Sequence, residues 1–443
     1  MIDPITTVKI FSSLGNNSSL FPIAVKDAAH IAGMTTASYI TGKEIEGKDR
    51  LIDEVGSTAM WIGGIPFYKK VIDLTLYKLA KYSPDVDVRI LKDENLLKKA
   101  IQHAPTQEIK ESIKKAANNI KMVKGLNLAK FLVSTALTLL SYSALTTFRH
   151  KHTEKNIIKE IHKEETEKKL KEEYFKGKMP LAFKSIKSAQ KTKTPSFGMN
   201  MHALQDFMFN PVKNMMIVDG GITASRLGDS RNPQDFMGYV IKEGSFWAFM
   251  YFAGKKIQEH FEKKSEQKYN KSIDLDIRAI QSDELKDGFK KGTISANVEE
   301  FNKLKTPEQI YEFLCTKGDN LVVKMAKLSG TQEQKQIITL YKNTDKVDTQ
   351  HYIDLEEVKN VGIKLEKLYK QYSTSGEEIE AFLAKTIKLK RGSVLKNIGT
   401  CMGVLGLVVP GIILVIRFVN KDNKDFMVKK ESHEELTLSN DVD

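Results

Sequence analysis

The sequence predicts an all-α integral membrane protein of two related halves, each ending in a transmembrane helix, with a soluble helical insert in the second half. Three observations carry that expectation. Two uncharged apolar stretches are long enough to cross a bilayer, short motifs recur in the same order in both halves, and helix-start signals are plentiful while strand signals are scarce.

Phe131–Phe148 has 18 residues and Ile398–Ile416 has 19, none of them charged. At about 1.5 Å of rise per residue each reaches about 27–28 Å, close to the hydrocarbon thickness of a bilayer. Lys124, Lys130, Arg149 and Lys151 bracket the first, and Arg391, Lys396, Arg417 and Lys421 the second. Such side chains snorkel to headgroups. Because they stand at both ends of both stretches, charge asymmetry does not fix an orientation. Gly399 and Gly403 have the small-xxx-small spacing that lets helices approach closely in lipid. Gly33 and Gly220 are expected to serve close packing in the same way. Four further stretches are apolar but shorter: Ala28–Gly42, Val55–Tyr68, Asn214–Ser225 and Ser245–Gly254. Asp219 interrupts the third and must face protein or water. His30, in the first, reads as a buried polar residue on a packing face.

The chain also resembles itself. Val25-Lys26, Gly33 and Thr36-Ala37-Ser38 recur at one offset as Val212-Lys213, Gly220 and Thr223-Ala224-Ser225. Gly56-Ser57 recurs as Gly244-Ser245, each before an apolar run containing a tryptophan, Trp61 or Trp247. The charged element Asp85-x-Asp87-x-Arg89 recurs as Asp274-x-Asp276-x-Arg278, followed by Asp93-Glu94 and Asp283-Glu284. Thr106-Gln-Glu108 pairs with Thr306-Pro-Glu308. Ile120-Lys121 and Lys124-Gly125 before the first spanning stretch pair with Ile387-Lys388 and Arg391-Gly392 before the second.

These marks divide the chain into a first repeat over 20–150, a charged helix and linker over 151–200, and the start of a second repeat over 201–280. A soluble helical region over 281–390, the second spanning helix within 391–420 and a polar tail over 421–443 follow. Lys151 to Phe175 carries Glu–Lys pairs four apart and reads as an exposed helix leaving the bilayer. Thr306-Pro-Glu-Gln309 has the capping threonine, N-terminal proline and box-closing glutamine of a helix start, and Thr331, Asp354 and Ser375 open similar patterns. Val358, Val361, Leu365, Leu368 and Tyr369 continue at helical spacing.

The chain has 443 residues and a net charge of +13. Its lysines are spread and mixed with glutamates, so anionic lipid suits the balance and no nucleic acid is expected. Cys315 and Cys401 exclude a disulfide framework and a cysteine zinc site. Met1 to Ser19 lacks the apolar core of a cleavable signal peptide. Gly63-Gly64 and Gly220-Gly221 lack a phosphate-loop context, and no serine or cysteine sits in a nucleophile elbow. Catalytic, cofactor and metal residues are therefore not assigned. The repeated charged element could bind a cation or a headgroup phosphate, but an acidic lead-in capping a helix explains it more simply. The sequence points to a membrane-anchored structural or interaction protein, set by its Lys- and Asn-rich composition in a bacterial cytoplasmic membrane. Its partners are the lipid bilayer and a protein partner or a second copy. A duplicated-repeat transporter or channel subunit and a peripheral lipid-binding protein are the alternatives.

Overall fold

A computed structural model of the chain describes residues 4–15, 20–104 apart from Asp85, Asp87 and Arg89, 106–172, 211–228, 233–329, 337–339 and 352–419. It is all-helical but for one short antiparallel ribbon that pairs Ile337–Thr339 with Tyr352–Asp354. The helices are α1 Pro4–Gly15, α2 Leu20–Ala59, α3 Ile65–Ile72, α4 Lys78–Ala80, α5 Glu94–Gln102, α6 Gln107–Asn118 and α7 Ile120–Glu172. Then follow α8 Pro211–Gly228, α9 Pro233–Trp247, α10 Gly254–Tyr269, α11 Ile277–Ile280, α12 Asp283–Lys291, α13 Ile294–Asn302, α14 Pro307–Thr316 and α15 Leu321–Leu328. The last are α16 Leu355–Ser373, α17 Ile379–Gly403 and α18 Val409–Val419.

α2 is a hairpin, not a rod. Thr58 Oγ1 donates to Asp27 Oδ2 at 2.5 Å, whereas a straight helix would set those residues about 46 Å apart. The ring of Tyr39 lies directly over Gly47, which puts the bend between them. The second arm runs antiparallel to α7: Gly56 meets Leu145, Gly64 meets Thr138, and Tyr77 Oη donates to Asn127 Oδ1 at 2.5 Å. The first arm runs parallel to α17 and α18. Gly33 lies against the Gly406 carbonyl, and Met34 packs on Val409 and Ile413. α8 and α9 form a second antiparallel hairpin, joined by Arg226 to Glu243 and by Thr223 to Trp247. α10 runs antiparallel to α17, where Lys390 pairs with Glu262 at 2.7 Å.

These six helical arms make one bundle with two distinct ends. The α2 bend, the end of α8 and the start of α9 form its tip. The other end joins a separate helical module. The module's core runs from Leu275 to Leu383 and includes Phe289, Phe301, Val322, Leu365 and Phe382. Val358, Val361, Leu365 and Leu368 sit in it at the spacing expected of α16. α5 and α6 form a smaller core that takes in Tyr311, and Lys99 pairs with Glu312 across that contact at 2.8 Å.

Local signals explain the starts of these helices. Thr306 caps α14 with a complete capping box. Thr106 caps α6 and Asp93 caps α5, the latter accepting from the backbone N–H groups of Asn95 and Leu96. Two starts differ from expectation. Ser282 rather than Asp283 caps α12. Ser375 precedes its helix, since α17 begins at Ile379 after Glu378. Thr331 lies outside the described residues.

Two helical segments are long and apolar enough to cross a membrane, Ile120–Thr153 and Ile379–Ile416. They contain the two stretches singled out in the sequence. Both run from the module to the tip. The four shorter apolar stretches become arms of the two hairpins. α7 continues to Glu172, as the Glu–Lys spacing suggested. Gly56-Ser57 and Gly244-Ser245 each precede a π-helical turn, Met60–Gly64 and Ala248–Ala253.

Candidate functional site

A layer of buried charge fills the tip half of the bundle. Helical spacing assembles it. Asp49, Arg50, Asp53, Glu54 and Ser57 lie within about two turns of the second arm of α2, and Asp53 and Ser57, four apart, share a face. Tyr142, Arg149 and Thr153 come from α7, Asp219, Thr223 and Arg226 from α8, and Lys242 and Glu243 from α9.

Arg226 is its hub. Its Nη1 lies 2.7 Å from Glu243 Oε1 and its Nη2 3.1 Å from Asp53 Oδ2. The same guanidinium donates to Ser57 Oγ at 3.1 Å and, through Nε, to Tyr142 Oη at 3.2 Å. Lys242 Nζ bridges Glu54 at 2.6 Å and Glu243 at 3.0 Å. Arg149 Nη1 reaches Asp53 Oδ1 at 2.7 Å, and Thr153 Oγ1 donates to Asp49 Oδ1 at 2.6 Å. Arg50 lies 3.5 Å from Glu54 and stacks over the Tyr239 ring. None of these ion-pair side chains is more than 10% exposed. Taking such charges out of water costs several kcal/mol per ion unless each is paired, and here Asp49, Asp53, Glu54 and Glu243 each have a basic partner. The network joins both hairpins to α7, so it fixes how the two hairpins sit against each other.

Among the described residues, Asp27 and Asp219 stand beside this network with no basic group at ion-pair distance. Asp27 is 2% exposed and accepts from Thr58, while Asp219 is 4% exposed and accepts from Tyr251 Oη at 3.2 Å. His30 is fully buried. Its Nδ1 donates to the Leu405 carbonyl at 3.3 Å, Phe246 lies against the ring, and Nε2 has no partner among the described residues. Both side-chain polar atoms of Asn214 are also buried, with no partner among the described residues. Among the described residues no group of three or more His, Cys, Asp or Glu is placed to hold a metal ion.

The residues singled out in the sequence fall elsewhere. Asp85, Asp87 and Arg89 lie outside the described residues. Asp274, Asp276 and Arg278 are at the module. Asp276 caps α11, accepting from the Arg278 backbone N–H at 2.8 Å and from its Nε at 3.2 Å, and it also accepts from Ser12 Oγ at 2.8 Å. Asp274 pairs with Lys367 at 3.3 Å. A carboxylate already committed to a cap, a guanidinium and a hydroxyl has little left for an external ligand. Gly33 sits where α2 crosses Gly406, whereas Gly399 and Gly403 face open space and Gly220 makes ordinary contact with Trp247. The close crossing thus uses Gly406, one turn beyond the expected pair. His30 and Asp219 are buried as their apolar surroundings required. Asp53, Glu54, Arg226, Lys242 and Glu243 were not singled out. The signal for them was charge of both signs lying between apolar stretches.

Comparison with family models, with curated proteins and with solved structures finds no match to this chain.

Proposed function

We propose that the chain is a membrane-anchored structural or interaction protein, with its bundle in the bilayer and its helical module in water as the docking element. One observation carries the reading. Among the described residues, the exposed large apolar side chains lie almost wholly on the bundle arms; only Ile10, Tyr269 and Ile363 fall outside them. Leu132, Leu140 and Phe148 on α7, Phe67 and Leu74 beside it, and Leu407, Val415 and Phe418 at the end of the chain's last helices are all more than half exposed. A water-soluble domain rarely presents so continuous an apolar surface, and the module does not. Internal duplication is part of the proposal. It is supported by the two hairpins, by the π-helical turn after each Gly-Ser pair and by the parallel course of the two long helices. The Lys- and Asn-rich composition favours a bacterial cytoplasmic membrane as the setting.

The test is labelling of single cysteines in intact cells, in a chain whose Cys315 and Cys401 are replaced. Glu300→Cys in the module should label from one face of the membrane, and Glu160→Cys and Lys430→Cys from the other. Labelling of all three from one face sinks the spanning reading, as does release of the protein by alkaline carbonate.

A transporter or channel subunit is the second reading. Ionisable side chains buried at membrane depth favour it. The halves run in the same direction, so it would be of the parallel-repeat kind rather than the inverted kind. Ion or solute flux through proteoliposomes separates it from the first reading.

A further inference from the structure

We propose that α7 and α17 each carry, at the module end, a notch that binds the headgroup phosphate of an anionic phospholipid. Lys121, Lys124 and Gly125 form the first, and Lys388, Arg391 and Gly392 the second. The proposal rests on the membrane reading above and adds the class of lipid that the neck of the bundle recognises.

Position along the helices is the first argument. Lys121 and Lys388 each stand ten residues before the uncharged stretch that follows, and Lys124 and Arg391 seven. At about 1.5 Å of rise per residue these are about 15 and 10 Å from the start of the apolar span. The headgroup layer adds about 5–8 Å to each side of the hydrocarbon core, so long basic side chains at this height stand over the phosphates. Both helices run from the module to the tip, and the two notches therefore open on the same leaflet.

Exposure is the second. Lys121 and Lys388 are exposed and Lys124 and Arg391 half-buried, and among the described residues none of the four has an acid at ion-pair distance. By contrast Lys390, buried between the second pair, is held by Glu262 at 2.7 Å. The guanidinium of Arg391 lies 5.5 Å from the Phe11 ring centre, and its Nε has no hydrogen-bond partner among the described residues. Four residues on from each lysine, hence one turn nearer the span on the same face, stands a glycine. A Cβ added to Gly125 or Gly392 would meet nothing within 4 Å, so close helix packing does not account for either. Four residues on from Lys124 and Arg391 stand Leu128 and Leu395, which are 39% and 55% exposed. Each face thus passes from cation through uncovered backbone to apolar side chain within two turns, as a bilayer passes from phosphate to acyl chain. An acidic protein surface would match the cations and leave the leucines in water, whereas a phospholipid matches both.

Spin-labelled lipids in phosphatidylcholine bilayers reconstituted with the full-length protein test this. Labelled phosphatidylglycerol should associate with the protein more strongly than labelled phosphatidylcholine by up to about fivefold, the effect of one basic contact at a membrane surface. The preference should vanish in about 1 M salt, where the screening length falls to about 3 Å. It should also vanish in the combined variant Lys121→Gln, Lys124→Gln, Lys388→Gln and Arg391→Gln. It should survive when Lys291, Lys303, Lys317 and Lys370, module lysines more than half exposed, are changed to glutamine instead. Equal association of the two lipids with the wild type, in protein that carbonate does not release, overturns the notches and leaves the spanning reading standing. A preference that outlasts salt or the combined variant overturns them too. So does equal loss in the module variant, which marks a response to net charge alone.

Discussion

Replacing Arg226 by methionine tests whether the charge layer holds the two hairpins together. The substitution keeps most of the apolar stem and removes the fork that contacts Glu243, Asp53, Ser57 and Tyr142. Removing one partner of a buried ion pair costs about 3–5 kcal/mol, because the other charge is left uncompensated. Here each acid keeps one base: Asp53 retains Arg149 at 2.7 Å, and Glu54 and Glu243 retain Lys242 at 2.6 and 3.0 Å. The expected loss is therefore at the lower end, about 3 kcal/mol. Unfolding in denaturant, followed by circular dichroism at fixed detergent concentration, measures it. Arg226→Met combined with Glu243→Leu should recover part of the loss, with a coupling energy of about 0.5–3 kcal/mol between the two sites. A single-variant loss below about 0.5 kcal/mol, the usual scale for an exposed substitution, would refute the idea that the layer is a lock.

Three other outcomes follow from particular contacts. Gly33→Leu drives a side chain into the Gly406 carbonyl and Pro410, so it should cost at least the roughly 1–3 kcal/mol of an overpacked core, whereas Gly399→Ala should be nearly neutral in the same unfolding assay. Cys315 is exposed and Cys401 buried. A maleimide should therefore modify one thiol in the folded protein and the second only after denaturation; equal rates would contradict the packing of α17 on α2. The third concerns pH. Lys271, with its side chain 1% exposed, donates to Glu377 Oε2 at 3.0 Å and lies over the Phe382 ring. That hydrogen bond, with Lys385 also nearby, holds the Glu377 carboxyl below its ordinary range. A depressed carboxyl contributes stability that is present above its unfolded pKa and is lost as pH falls through its folded value. Glu377→Gln should shrink the acid loss of thermal stability and leave the alkaline limb unchanged.

How much of this was legible in the sequence depends on whether local pattern or long-range pairing set each feature. The two long apolar helices and the cap at Thr306 were legible, since apolarity and capping act within a turn or two of chain. The hairpin within Leu20–Ala59 was not, although its arms were marked as apolar. The polar run from Lys43 to Glu54 reads as a solvated segment, because charge in sequence ordinarily means water. Asp53 and Glu54 are buried only because Arg149, Arg226 and Lys242 arrive from three other helices, and no local periodicity encodes that meeting. Glycine spacing failed for a related reason. Gly399 and Gly403 satisfy the close-packing spacing, yet the crossing with Ala29 and Gly33 uses Gly406. Asp219 and His30 were visible because each breaks an apolar run. A single polar residue in such a run has few reasons to be there, and a buried one must be paired, neutral or reactive.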